Sequence, residues 1–224
     1  MMIDMPTTTS ETARRAMVAS QLRTSAVNDT RVVAAMAGVP REEFVPGADA
    51  TLAYRDRPLP LPGGRAQNAP LATGRMLTEA AIGPGDRVLL IGAAGGYTAA
   101  LLGELAGHVV AVESDAELAG LARAKLAGRA NIEVVEGELA AGAPDHAPFD
   151  VLVIDGAIEH LPEELAAQVR RAGRIVTGFV DAGGVTRLAS GVRGDGAQAL
   201  GAFADVDCVI LPGFAVPRAF QFPG

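Results

Sequence analysis

Between Pro70 and Thr177 short apolar runs alternate with helical spacers of roughly ten residues, and this rhythm limits the fold more than any other feature of the chain. The runs are Arg87–Ile91, His108–Val112, Ile132–Val135, Val151–Ile154 and Arg174–Thr177. Helical spacing marks Leu71 to Ala81, the stretch through Leu101, Leu102 and Leu105, Asp115 to Leu126, and Pro162 to Arg171. Parallel strands need crossovers of this length, so the pattern predicts an α/β fold with a doubly wound, mostly parallel sheet and helices on both faces. With 27 Gly, no Trp and 4% aromatics, the core must be built from Ala, Leu, Val and Ile.

The flanks read differently. Residues 11–38 are helical by the spacing of Met17, Val18, Leu22, Val32, Val33 and Met36, with a break at Asn28-Asp29-Thr30 where Asp29 or Thr30 supplies an N-cap. Six prolines from Pro40 to Pro70 preclude a regular element there, and an ordered loop of that length is usually functional. Residues 184–222 read as antiparallel strands, Val206–Leu211 among them. Leu211-Pro212-Gly213-Phe214 and Phe220-Gln221-Phe222 are expected to pack against the sheet. One domain over 1–224 is expected: N-terminal helices and loop to 70, a core from 71 to 180, and C-terminal strands from 181.

Several function classes are disfavoured. Nineteen Lys+Arg against 26 Asp+Glu give a net charge of −7 with no basic run, which argues against binding nucleic acid through its phosphates. The single cysteine, Cys208, excludes an intramolecular disulfide and a multi-cysteine zinc site, and it is expected to be a small buried core residue. No apolar leader follows the N-terminus, and no run approaches the roughly 18 apolar residues of a membrane span, so a cytoplasmic location without membrane contact is expected.

The first candidate site is the turn Gly92-Ala93-Ala94-Gly95-Gly96, where small residues let a ligand approach backbone N–H groups at a helix start. Glu113, 21 residues after Gly92 at the end of the second strand, can accept both hydroxyl hydrogens of a ribose. Together they point to a nucleoside-containing cofactor, and at this level a dinucleotide and S-adenosylmethionine both satisfy them. The turn does not match G-x-G-x-x-G, because Ala94 stands at its second glycine.

Further motifs narrow the choice. Arg15-Ala16-Met17-Val18 with Gln21-Leu22, Asp29-x-Arg31-Val32-Val33-x-Ala35-Met36, Val39-Pro40-Arg41-Glu42-x-Phe44-Val45-Pro46 and Ala53-Tyr54-x-Asp56-x-Pro58-Leu59-Pro60 resemble the protein-L-isoaspartate O-methyltransferase family. So do Gly85-Asp86-Arg87-Val88-Leu89, Ile91-Gly92, Gly96-Tyr97 and Ala147-Pro148-Phe149-Asp150, nearly ungapped over about 14–180. The resemblance implies a Rossmann-like methyltransferase sheet, S-adenosylmethionine as cofactor, and an isoaspartyl-containing protein or peptide as methyl acceptor, the chemistry of protein repair. It places the cofactor on Gly92 to Gly96 and on Glu113 with Ser114. Glu138 with Leu139 would lie near the adenine, and Asp155 and Gly156 would line the same cleft. It implies a monomer in many relatives, and the residues themselves do not decide between monomer and dimer.

Departures from the family pattern cluster near the chemistry. Its G-Q-T-I-S-Q-P is here Gly64-Arg65-Ala66-Gln67-Asn68-Ala69-Pro70, which puts Asn68 at the active-site serine and Arg65, Ala66 and Gln67 beside the acceptor. Leu90 replaces an acidic residue before the glycine turn. A carboxylate acceptor is already ionised at neutral pH and needs no base, so the site has mainly to position it; Asn68 keeps a donor amide and Arg65 can offer a guanidinium. The alternative is a diverged member, non-catalytic or with another acceptor, that binds the cofactor weakly or not at all. A nicotinamide oxidoreductase would share only the turn and the acidic residue. Asp155 with Glu159 and His160 suggests acid/base work, and Arg55 and Arg57 an acidic peptide, although solvated charges explain the first group better and the second at least as well.

Overall fold

The computed structural model describes residues 7–46, 50–194 and 199–216. The chain opens with α1 (Thr7–Met17), continues through a π-helical turn (Val18–Leu22) and a 3-10 turn (Arg23–Ser25), and resumes as α2 (Thr30–Gly38). Asp29 is the N-cap of α2: its carboxylate accepts the N–H of Arg31 at 2.8 Å and of Val32 at 3.2 Å.

The Pro-rich stretch is more regular than its composition predicts. It contains a 3-10 turn (Arg41–Phe44), α3 (Ala50–Ala53) and a ribbon of two short antiparallel strands, β1 (Leu59–Pro60) and β2 (Ala66–Gln67). Pro60 is tolerated because a two-residue ribbon consists only of edges, and Gly63 and Gly64, at φ 66° and 71°, reverse the chain between them.

The body follows in α4 (Pro70–Ala80), β3 (Arg87–Ile91), α5 (Tyr97–Leu105), β4 (His108–Glu113), α6 (Ala116–Leu126), β5 (Ile132–Glu136), β6 (Phe149–Ile158), α7 (Glu163–Ala166), β7 (Val169–Val180), β8 (Thr186–Val192) and β9 (Gly201–Ala204). The seven-stranded sheet has the order β5-β4-β3-β6-β7-β8-β9, with β5 to β7 parallel and β8 and β9 added antiparallel, as the alternation and the tail predict.

Successive side chains leave opposite faces, so Val88, Leu90, Val109 and Ala111 pack on one side with residues of α2, α4, α5 and α6. Leu89, Ile91, Val110 and Val112 pack on the other with Leu139, Leu165, Leu211 and Phe214. The chain leaves β3 toward β4 and β6 toward β7, so a crevice opens between the carboxyl ends of β3 and β6, where ligands of such sheets bind.

Two expectations are corrected. The helix expected over Pro162–Arg171 stops at Ala166, and the strand expected at Arg174 starts at Val169. Pairing overrides local propensity there: Val169 faces Phe149, and the Gln168 carbonyl accepts the Phe149 N–H at 2.9 Å. Val206–Leu211 is not a strand but makes a single parallel bridge, Ile210 to Ala157. Pro212 has no N–H to continue a ladder, and Gly213, at φ 87°, turns the chain. Phe214 is buried as expected, whereas Phe220 and Phe222 lie outside the described residues. No helix among the described residues is long and apolar enough to cross a membrane.

Candidate active site

Strand β3 ends at Ile91, and the chain turns through Gly92 and Gly96 at φ 81° and 99°. Ala94 holds φ 49° between them, a left-handed conformation in which a Cβ costs roughly 1–2 kcal/mol. The turn is pinned to β4 by the N–H groups of Gly92 and Ala93, both donating to the Val112 carbonyl at 3.0 Å. Gly96 precedes α5, whose first residue, Tyr97, is fully buried against Phe44 with the Arg41 guanidinium 4.9 Å above its ring.

Glu113 is fully buried at the end of β4. Its Oε2 accepts the Ala94 N–H at 2.7 Å, and its Oε1 accepts those of Ser114 at 2.9 Å and Asp115 at 3.1 Å. The fourth group on this carboxylate is the Arg65 guanidinium, with Nη1 2.5 Å from Oε1 and Nη2 3.2 Å from Oε2. Arg65, expected beside the acceptor, is thus committed to Glu113.

On the other wall, three residues of β6 (154 to 156) stand opposite one of β7, a bulge that turns Asp155 into the crevice. Asp155 accepts from Asn68 Nδ2 at 2.7 Å and from Thr98 Oγ1 at 2.5 Å. Burial pushes its carboxyl above the usual carboxylate range, against the opposing pull of those two donors. Asn68 also accepts the Val209 N–H on Oδ1 at 2.8 Å, so both ends of its amide are engaged.

The segment at Val209 is zipped to β6 by Ala157 N–H to Val209 O at 2.6 Å and Leu211 N–H to Ala157 O at 2.9 Å. Gly156 permits the approach, since a Cβ there would stand 2.6 Å from Leu211 Cγ. Arg41, fully buried, fastens the floor by donating to Ala53 O at 2.8 Å and Asn68 O at 2.5 Å.

The other named residues distribute as follows. Ala66 and Gln67 form β2; Gln67 is buried, and neither atom of its amide has a partner among the described residues. Ala93, Ala94, Gly95 and Gly96 are buried, Ser114 and Glu138 exposed, and Leu139 packed in the core. Leu90 is wholly within the core. Glu159 and His160 do not join Asp155: they hold the C-terminal segment through the Val216 N–H at 2.7 Å and the Phe214 carbonyl at 3.0 Å. Arg55 and Arg57 are exposed. Cys208 is buried, and its thiol is pushed up to about 12 by that burial.

Sequence reasoning missed Arg41, Thr98 and Val209. Arg41 stood in Val39-Pro40-Arg41-Glu42-Glu43, where two following glutamates make it look like a solvated charge, and a threonine and a backbone N–H carry no mark either.

Comparison with known proteins identifies the family. Residues 12–207 match the family model described as Protein-L-isoaspartate(D-aspartate) O-methyltransferase. The chain is 45% identical over 165 residues to a protein-L-isoaspartate O-methyltransferase of Koribacter versatilis, covering 73% of this chain and 74% of that one. It is 41% identical over 183 residues to one of Methylorubrum extorquens, covering 81% and 80%. A solved protein-L-isoaspartate O-methyltransferase superposes with TM-score 0.79 at 22% identity, over 89% of this chain and 66% of that one. A Plasmodium falciparum structure titled as a putative member in complex with S-adenosyl-L-homocysteine superposes with TM-score 0.72 at 16% identity, over 88% and 97%. Sequence and topology converge: the chain belongs to the protein-L-isoaspartate(D-aspartate) O-methyltransferase family.

Proposed function

We propose that the protein transfers a methyl group from S-adenosylmethionine to the carboxylate of isoaspartyl residues in proteins or peptides. The observation that carries this reading is Glu113, a buried carboxylate at the strand end, set beside a glycine turn in a chain that matches the family over residues 12–207. The donor chemistry suits a nucleoside. Glu113 already binds a forked pair of N–H donors from Arg65, and two vicinal ribose hydroxyls present the same kind of pair.

Gly92 to Gly96 would flank the cofactor, and Glu113 would take its ribose. The cofactor, when bound, supplies a methyl group on a sulfonium. The chain has then to orient an acceptor carboxylate and exclude water, since an ionised carboxylate needs no base. Leu211 packs against Gly92, with its terminal carbons 3.1 Å from where a Cβ on Gly92 would stand.

Asn68 favours a second reading, an altered acceptor, because its amide is spent on Asp155 and Val209. Methyl-labelled cofactor, offered with an isoaspartyl peptide and with its aspartyl twin, tests the first reading. Base-labile label in the isoaspartyl peptide alone is expected; no label despite cofactor binding would overturn it. A rise in that transfer in Asn68→Ser with Ala66→Thr would point to drift of the acceptor site.

A further inference from the structure

Glu113 carries five hydrogen bonds in this structure: three from backbone N–H groups and two from Arg65. A carboxylate offers about four lone-pair positions, so no capacity remains for a ribose diol while Arg65 is in place. The backbone donors are fixed by the turn and the strand end. Arg65 is the one partner that can leave.

Its position makes it a competitor rather than a supporting group behind the site. Arg65 Nη2 lies 3.7 Å from where a Cβ on Gly92 would stand, so the guanidinium sits at the glycine turn, on the crevice side that a nucleoside would use. The side chain is 9% exposed and its partner 0%. The backbone behind it is a tight hairpin: Leu61 N–H donates to Arg65 O at 2.8 Å and Arg65 N–H to Pro62 O at 3.2 Å. The pair therefore holds the Pro-rich loop down across the strand ends.

We infer that Arg65 is a resident occupant of the ribose subsite at Glu113, so that this chain takes up its nucleoside cofactor by exchanging a guanidinium for the ribose diol. The inference rests on the methyltransferase reading above. Its consequence is an affinity set by a difference: each ribose hydrogen bond gained replaces a charge-assisted one lost.

Calorimetric titration of S-adenosylhomocysteine into the full chain, Arg65→Gln and Arg65→Lys provides the test, with circular dichroism to establish that each variant is folded. Arg65→Gln is expected to bind about tenfold or more tightly than the unmodified chain. Arg65→Lys keeps the charge without the fork and should fall between them. In the unmodified chain, nitrogen-15 spectra should show an arginine side chain whose slow N–H exchange is lost on adding the ligand. Equal affinities in all three proteins, or an Arg65 signal indifferent to the ligand, would overturn the exchange and leave the methyltransferase reading intact. No binding to any of the three would overturn both.

Discussion

Strands β3, β4 and β6 meet through ladders in which Val88 to Ile91 face Val109 to Val112 and Val151 to Ile154, side chains that are apolar and fully buried. The chain lying across the ends of those strands is held by polar side chains reaching far along the sequence: Arg65 to Glu113 over 48 residues, Asn68 to Asp155 over 87 and to Val209 over 141. The two regions fail differently. An apolar ladder loses stability in proportion to the volume removed, whereas a buried polar network loses most when one partner goes and leaves the other unpaired.

The contrast is tested most strongly at Glu113. Replacing Glu113 by Gln removes the charge that Arg65 pairs with and sets an amide NH2 against backbone N–H donors of Ala94, Ser114 or Asp115, and should cost about 3–5 kcal/mol in chemical denaturation. The half-exposed pair Arg123–Glu136 is the control, where Glu136→Gln should cost under about 1 kcal/mol. Similar losses at the two sites would erase the distinction. Arg41→Met should follow at roughly 2–3 kcal/mol, because the Ala53 and Asn68 carbonyls lose their donors, with a matching rise in proteolysis of the Pro-rich segment.

Asp155 gives the pH arm. Burial raises its folded pKa above the unfolded one, so the folded state holds the proton more tightly, and stability falls as pH rises from about 4 through the folded pKa, then levels off. Asp155→Asn lacks that fall, so the stability of the unmodified chain relative to the variant should be greater in acid than at neutral pH. Parallel denaturation profiles across pH would remove Asp155 as the source. The smallest effect belongs to a residue legible from sequence: Asp29→Ala should cost about 1 kcal/mol and leave ligand binding unchanged.

Legibility divided along the same line. The runs at Arg87, His108, Ile132 and Val151 announced their strands, and Asn28-Asp29-Thr30 the cap of α2, because periodicity and capping are written within a few neighbouring residues. The short α7 was not legible, since the strand that displaces the expected helix is fixed by Phe149, 20 residues before Val169. Glu113 stood out by its distance from the glycine turn. That Arg65 would bind it did not, because the hairpin bringing them together is set by Gly63 and Gly64 and by a contact that no local pattern encodes.

The bond from Asn68 to Val209 also has a meaning in time. At a synthesis rate of roughly 5–20 residues per second, the 141 residues between them take on the order of ten seconds to emerge, while the strands nearer the start of the sheet can already pair. Throughout that interval Asn68 has no Val209 to hold, and Gly92 and Gly156 lack the Leu211 side chain that packs against both. The nascent chain therefore carries the glycine turn and Glu113 before it carries a finished crevice, and the ribosome, by releasing Val209 late, sets the moment at which the crevice can be completed.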